Sequence, residues 1–76
     1  MTINEKYGKI IRQLREKNGV SQEKFANMIG MDRSYYATIE AGKHNVTLSK
    51  IEDIANGLGV SISKIMNMIE SLDDLR

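Results

Sequence analysis

The fold of this 76-residue chain is decided by residues 22–42, which read QEKFANMIGMDRSYYATIEAG. Apolar residues recur at helical spacing on both sides of Gly30, and this pattern predicts two short helices joined by a tight turn. A turn of this length is too brief for antiparallel packing, so we expect the two helices to cross steeply. Ala26 is small enough for a close crossing, and Gly30 can adopt the positive φ that the turn requires. The positions predicted to face inward are Phe25, Ile29, Met31, Tyr36 and Ile39.

These constraints agree at the spacing of a helix-turn-helix over about residues 21–41. Ser21 is a favourable N-cap for its first helix and Asp32 for its second, which ends at Ala41-Gly42. A loop follows at residues 43–46, where the sequence has no periodicity.

Periodicity outside this stretch predicts three further helices. One covers residues 3–18, and its apolar stripe consists of Ile3, Tyr7, Ile10, Ile11 and Leu14. Thr47 or Ser49 caps a fourth helix, whose stripe consists of Ile51, Ile54, Ala55 and Leu58. A fifth begins at Ser61 and ends in a frayed acidic tail at Asp73-Asp74; its apolar residues include Ile62, Ile65, Met66, Ile69 and Leu72. We therefore predict one all-α domain of five helices over residues 1–76.

The composition excludes several classes of protein. Apolar residues make up 41% of the chain and charged residues 28%, a balance typical of a globular domain. With no cysteine and one histidine, the chain lacks both a disulfide framework and the ligand set of a structural zinc site. It has no apolar run long enough to span a bilayer, and residues 1–15 do not resemble a signal peptide. We expect a cytoplasmic domain that uses no metal, cofactor, membrane or small-molecule ligand.

The charge is distributed unevenly along the chain. Residues 1–50 carry nine Lys/Arg and five Asp/Glu, a net charge of +4, whereas residues 51–76 carry a net charge of −3. A basic front half suits a polyanion on one side of the domain, although random surface variation explains the charge pattern equally well.

One group of residues carries a family resemblance, namely Gln22, Ala26, Gly30, Ile39, Glu40, Gly42 and the segment Leu58-Gly59-Val60-Ser61. Over about residues 7–69 the chain resembles the Cro/CI-type (Xre-like) helix-turn-helix regulators, which include the lambdoid-phage repressors. Within that family, residues 31–40, MDRSYYATIE, look most like the controller proteins of restriction–modification systems. The chain departs from the family at Tyr36, where an aliphatic residue is usual.

The resemblance implies a lambda-repressor-like domain that binds a double-stranded DNA operator as a homodimer and regulates transcription as a repressor or activator. RNA polymerase would be a further partner of an activator. Phage and plasmid regulators share much of the pattern, so the resemblance leaves the regulated genes open.

The outward positions of the second motif helix are candidates for reading DNA bases. Arg33 can donate two parallel hydrogen bonds to guanine O6 and N7, the commonest specific contact in the major groove. Ser34 and Thr38 can bond a base or a phosphate, and Tyr35 can offer its ring to a thymine methyl or its hydroxyl to a phosphate. The alternative is that all four are ordinary solvated residues of an exposed helix.

A second set of residues is expected to contact the DNA backbone. Gln22 stands at the start of the first motif helix, where an amide beside free N–H groups suits a phosphate. Lys43, His44 and Asn45 form the loop after the second motif helix, where relatives also grip phosphate. The alternative is that Gln22 is a surface residue without a role. His44 has no second histidine or cysteine to form a metal site or a catalytic set.

Two further expectations concern structure and assembly. The family positions that match Arg15 and Glu40 hold an Arg–Glu bridge, which implies an internal ion pair here; the alternative is two separate surface charges. The fifth helix has more apolar residues than one stripe can bury, which predicts a dimer interface at about residues 60–72. The predicted interface residues are Val60, Ile62, Ile65, Met68, Ile69 and Leu72. The alternative is that the extra methionines only thicken a thin core.

No catalytic set is evident, so we expect a binding protein rather than an enzyme. Glu52-Asp53 and Asp73-Asp74 are adjacent pairs, and neighbouring residues on a helix point in different directions. Two other binding functions stay open. A protein-interaction adaptor would keep the bundle but present an acidic or apolar face on the second motif helix. An antitoxin would need a toxin-binding segment in addition to the bundle.

Overall fold

The computed structural model describes residues 1–74, with side chains described as far as Leu72. Within that range the chain forms five α-helices and no strand: α1 (Ile3–Lys17), α2 (Gln22–Met28), α3 (Arg33–Glu40), α4 (Leu48–Leu58) and α5 (Ile62–Asp74). The prediction of an all-α fold is confirmed. The backbone of α5 continues through Asp74, where the sequence predicts a frayed end; the side chains of both aspartates lie outside the described set.

Each helix begins at a short polar side chain that satisfies a free backbone N–H. The Asp32 carboxylate accepts a hydrogen bond from the backbone N–H of Tyr35 at 3.0 Å, which fixes the start of α3. Of the two candidate caps for α4, Thr47 takes the role, since its hydroxyl accepts from the backbone N–H of Lys50. Local hydrogen bonding therefore determines where the helices start.

Glycines in the left-handed conformation end the two helices of the motif. Gly30 follows α2 with φ +67°, and the next N–H, of Met31, donates to the carbonyl of Ala26 at 2.9 Å. Gly42 follows α3 with φ +76°, and the N–H of Lys43 donates to the carbonyl of Thr38 at 3.0 Å. This 6→1 hydrogen bond is the Schellman motif, which reverses the chain direction within two residues.

The core forms where α1 packs against α3, α4 and α5, while α2 packs against α3. Its largest fully buried side chains are Tyr36, Phe25, Ile10, Ile11, Ile39, Ile54 and Ile65. The rings of Phe25 and Tyr36 meet at a centroid distance of 5.2 Å, so α3 is held against α2 by an aromatic pair. Tyr36 is thus a core residue of the crossing between α2 and α3.

Two assignments of residues to core or surface are wrong. Ile3 was predicted to lie on the buried stripe of α1, but it is 61% exposed, because it starts the helix at the rim of a shallow groove beside Val46 and Ile51. Ile65 and Ile69 were predicted to form the dimer interface, but they are 0% and 3% exposed. The reason is that α5 packs along α1 and turns this pair, four residues apart, into the core of the single chain.

The other predicted interface residues keep part of their surface. Ile62 is 39% exposed, and Val60, Met68 and Leu72 are half-buried at the edge of the core. No helix within residues 1–74 is both long and apolar enough to cross a bilayer.

Gly8 allows α1 to pass directly over the last turn of α3. A Cβ atom built on Gly8 would lie 2.7 Å from the carbonyl oxygen of Ile39, and it would press still harder on the carbonyl of Glu40. Both obstacles are backbone atoms, which cannot rotate away. This missing side chain fixes the position of α3 relative to α1, a role that the sequence pattern alone does not reveal.

Candidate nucleic-acid interface

The position of α3 separates its residues into a buried and an outward face. Tyr36 and Ile39 are 0% and 1% exposed against α1 and α2. Arg33 and Ser34, in the first turn, are exposed, while Tyr35 and Thr38 are half-buried. The helix is therefore clamped on one side and presents the predicted base-reading residues on the other.

Arg33 is the most available group of this face. Within the described chain, no hydrogen bond or ion pair engages its guanidinium, so all five of its N–H donors are free for a ligand. It stands at the first position of α3, and the N-terminal residues of a recognition helix are those that reach base edges. This location suits the predicted pairing with guanine.

Thr38 is more restricted than the sequence suggested. Its hydroxyl donates a hydrogen bond of 2.6 Å to the backbone carbonyl of Tyr35, one turn earlier in α3. While that bond holds, the Thr38 oxygen can only accept. A phosphate offers no hydrogen to such an oxygen, whereas the amino groups of adenine and cytosine do. The predicted role of Thr38 narrows accordingly to an acceptor for a base.

The segment after α3 is attached at both ends. The Gly42 turn brings it back along the helix, and the ring of His44 lies 5.2 Å from the ring of Tyr35, centroid to centroid. Further on, the Asn45 side-chain oxygen accepts a hydrogen bond of 2.7 Å from the Asn4 amide in α1. Lys43 lies between these attachments and is exposed. The predicted phosphate-binding loop is thus a fixed segment with one free cation, Lys43, within the described range 43–46.

Arg15 and Glu40 meet in the interior behind this face. The Arg15 guanidinium donates to both carboxylate oxygens of Glu40, from Nε at 2.7 Å and from Nη2 at 3.0 Å. Its remaining nitrogen, Nη1, donates to the carbonyl of Val20 at 2.7 Å. Arg15 is 7% exposed and Glu40 9%, so the structure brings the two predicted partners together as a buried pair. One side chain thereby connects α1, the segment before α2 and the end of α3.

Gln22 joins this pair. Its amide Nε2 donates to the Glu40 carboxylate at 2.8 Å, which places the side chain against α3 and leaves it half-buried. The sequence predicts either a phosphate contact or no role for Gln22, and it does not reveal this contact between residues 18 positions apart. The amide keeps a second N–H and its oxygen, so contact with a phosphate stays a prediction.

The environment of Glu40 favours its ionised form. Burial raises the pKa of its carboxyl, but hydrogen bonding from Arg15 and Gln22, together with the nearby Tyr36 hydroxyl, outweighs burial and leaves the pKa below its ordinary value of 4.5. The hydrogen bonds to Glu40 raise the pKa of Arg15 in turn. The Tyr36 hydroxyl is close enough to influence Glu40, although no described atom completes a hydrogen bond of standard geometry with it. Burial raises the pKa of Tyr36, so it stays neutral.

Comparison with known proteins identifies the family to which this chain belongs. Residues 11–65 match the helix-turn-helix family. The control protein C.MunI of a Mycoplasma species is 45% identical over 69 residues, which span 90% of this chain and 93% of that protein. The chain belongs to the helix-turn-helix control proteins.

Further control proteins are similar in sequence and structure. C.SmaI of Serratia marcescens is 35% identical over 66 residues, spanning 87% of this chain and 79% of that protein. The restriction–modification controller C.AhdI of Aeromonas hydrophila superposes with a TM-score of 0.77 at 38% identity, over 80% of this chain and 92% of that one. The controller C.Esp1396I, solved as a tetramer on its natural 35-base-pair operator, superposes with a TM-score of 0.84 at 30% identity, over 93% of each chain.

Membership of the helix-turn-helix control proteins establishes the general function of this chain. The family resemblance seen in the sequence is confirmed, and the chain is a DNA-binding transcriptional regulator. The family consists of DNA-binding regulators rather than enzymes. The predicted helix-turn-helix corresponds to α2 and α3, and the second helix of such a motif is its recognition helix. Among the described side chains, those of residues 1–72, no three His, Cys, Asp or Glu residues are grouped as a metal site.

Proposed function

We propose that this control protein binds a two-fold symmetric operator in double-stranded DNA as a homodimer and regulates restriction–modification genes. The observation that carries the proposal is the exposed first turn of α3, in which Arg33 and Ser34 project from a helix clamped by the Phe25–Tyr36 pair. A rigid helix with a free guanidinium at its N-terminal end is suited to reading base edges in the major groove. Relatives of matching length support it, since C.AhdI and C.Esp1396I are restriction–modification controllers.

Assembly into a dimer follows from how little DNA one recognition helix reads. A single α3 covers a few base pairs, which is too few to distinguish a site among a genome's competitors. Two copies related by a two-fold axis double the contacts and dock on half-sites about 34 Å apart. The C.Esp1396I structure, a tetramer on an operator, supports multimeric binding.

The interface of the homodimer is proposed at the surface-exposed part of the α4–α5 region. Val60 and Ile62 lie at the corner between the two helices, and Ile62 leaves 39% of its surface uncovered in the single chain. Met68 and Leu72 add half-buried apolar surface further along α5. A charge at Ile62 should therefore separate the subunits while leaving the core intact.

The outward face of α3 favours DNA over a protein partner. An adaptor built on this bundle would show an acidic or apolar face there, whereas α3 presents Arg33, Ser34 and the acceptor of Thr38, with Lys43 close behind. If binding activates transcription, RNA polymerase is a further partner. The site of action is the cytoplasm.

Selection from a pool of random duplexes tests the proposal. The wild-type protein should enrich a palindromic sequence, and its affinity for the enriched duplex should fall steeply with salt. Sedimentation should show dimers for the wild type and folded monomers with weak operator binding for Ile62→Asp. Lys64→Ala, an exposed change on the same helix, serves as the control that stays dimeric. Enrichment of no common sequence, or specific binding by a wild-type monomer, would contradict the proposal.

A further inference from the structure

The rings of Tyr35 and His44 are in contact on the DNA-facing side of the domain. Their centroids are 5.2 Å apart and their planes are inclined by 50°, a tilted arrangement of the kind that aromatic rings favour. Tyr35 belongs to the recognition helix, whereas His44 belongs to the segment that follows it. The contact therefore joins a candidate base-reading side chain to a residue that the sequence analysis assigned only to phosphate.

The backbone of Tyr35 is already fixed by two hydrogen bonds. Its N–H donates to the Asp32 carboxylate at 3.0 Å, and its carbonyl accepts from the Thr38 hydroxyl at 2.6 Å. The torsions that stay free are those of the Tyr35 side chain, and they decide where the phenol hydroxyl points. The His44 ring lies against the Tyr35 ring and restricts these side-chain torsions.

His44 is itself held in place from both sides. Before it, Gly42 at φ +76° and the hydrogen bond from the Lys43 N–H to the Thr38 carbonyl turn the chain back along α3. After it, Asn45 accepts the hydrogen bond of 2.7 Å from the Asn4 amide. Because His44 is fixed between these two attachments, its ring has a defined position against the Tyr35 ring.

We propose that His44 is a positioning residue for Tyr35: its ring holds the phenol in the orientation that reads a base, and this contact contributes to operator specificity. The inference rests on the proposed function, because it assumes that α3 reads DNA. A phosphate contact at this position would depend on N–H donors or a positive charge, and it would strengthen binding to every sequence alike. Support of the Tyr35 side chain would depend on the shape of the His44 ring. It would strengthen binding only to the DNA sequence that Tyr35 reads.

Three substitutions of His44 separate ring from charge. The probe is a 35-base-pair duplex selected from a random pool by the wild-type protein, compared with an unselected duplex of equal length. His44→Ala should lower the ratio of specific to non-specific affinity by about three- to tenfold, the value of one aromatic pair. His44→Phe keeps a ring without charge and should restore most of the ratio. His44→Lys keeps a charge without a ring and should leave the ratio as low as in the alanine variant.

A double-mutant cycle with Tyr35→Ala identifies the route of the effect. If His44 acts through Tyr35, then His44→Ala should not lower the specificity ratio further once the phenol is gone. Additive losses, or rescue by lysine and not by phenylalanine, would overturn the inference in favour of a phosphate contact. Because His44 is exposed, its single variants should unfold close to the wild-type temperature. Failure of the wild type to select any sequence would refute the proposed function itself, which is a separate outcome.

Discussion

Glu40 at the end of α3 and Arg15 near the end of α1 form a bidentate ion pair in the interior, although 25 residues separate them in the sequence. The third guanidinium nitrogen is occupied by the Val20 carbonyl, and Gln22 supplies a further donor to the carboxylate. Each of the three guanidinium nitrogens of Arg15 thus donates a hydrogen bond within the fold. The pair ties the recognition helix to the helix that underlies it, which makes it a structural element of the DNA-binding face.

Removal of one partner of this pair should be costly. Arg15→Ala leaves the Glu40 carboxylate buried without its counter-charge and should lower the free energy of unfolding by about 3–5 kcal/mol. Arg12→Ala is the matched control, because Arg12 pairs with Glu16 at 3.2 Å on the same helix but at an exposed site. Its loss should stay below about 1 kcal/mol. Urea unfolding of both variants measures the difference, and equal losses would mean that burial does not matter.

The ion pair also predicts a pH dependence of stability. Because the folded-state pKa of Glu40 is lowered from its ordinary 4.5, its stabilising contribution is present above that value and is lost as pH falls through the folded pKa. The raised pKa of Arg15 changes nothing in this range, since the guanidinium stays charged throughout. The stability difference between wild type and Glu40→Gln should therefore shrink below pH 4.5.

Urea unfolding between pH 7 and about pH 3 measures this difference. Glu5→Gln provides the comparison, since Glu5 is an exposed carboxylate whose pKa is also lowered, by hydrogen bonds with Thr2 at the start of α1. Both variants remove a titrating carboxyl, but only Glu40→Gln removes the buried partner of Arg15. A gap between wild type and Glu40→Gln that stays constant with pH would show that Glu40 does not titrate in this way.

The helix propensity of Gly8 and its packing make opposite predictions for Gly8→Ala. In an open helix, alanine is more favourable than glycine by about 0.5–1 kcal/mol. Here the new methyl group would meet the backbone carbonyls of Ile39 and Glu40, so α3 has to shift, and overpacking of this kind costs about 1–3 kcal/mol. We expect net destabilisation together with weakened operator binding. Lys9→Ala, at the next and exposed position, should change neither by much.

Base readout and phosphate contact differ in how they respond to DNA sequence. Arg33→Ala should cost about 1–3 kcal/mol on the selected duplex and much less on random DNA, as a lost guanine contact would. Lys43→Ala should weaken binding to both duplexes alike and reduce the salt slope by about one. Gln22→Ala should weaken both without changing the slope, since it carries no charge. Salt-titrated binding curves distinguish these cases, and equal losses on both duplexes would make Arg33 a phosphate contact.

The features that could be predicted from the sequence are those that depend on neighbouring residues. The caps at Ser21 and Asp32 and the turn at Gly30 involve hydrogen bonds between residues within about five positions of one another, so a short pattern is sufficient to predict them. The residues of the crossing, such as Phe25 and Tyr36, were predictable because only one geometry suits so short a turn.

The features that the sequence did not reveal depend on which distant element covers a residue. The apolar stripe of α5 has the same sequence pattern whether it packs against α1 or against a second subunit. Ile65 and Ile69 could therefore not be assigned to the core until the packing of α5 on α1 was known. The contacts of Gln22 with Glu40 and of His44 with Tyr35 each require the position of α3. Gly8 resembles an ordinary interruption of a helix until the carbonyls above it are known.

The packing of α1 has a consequence for the operator itself. One side of α1 carries α5, beside the proposed dimer interface, and another side carries α3 across the contact at Gly8. In the proposed dimer, α1 of each subunit would connect the interface to the recognition helix without a flexible linker. The distance between the two recognition helices would therefore be fixed. Such a dimer would require a constant spacing between the two half-sites of its operator. The proposed dimer should tolerate a changed base inside a half-site better than an extra base pair between the half-sites, which would displace and rotate one half-site beyond the reach of its recognition helix.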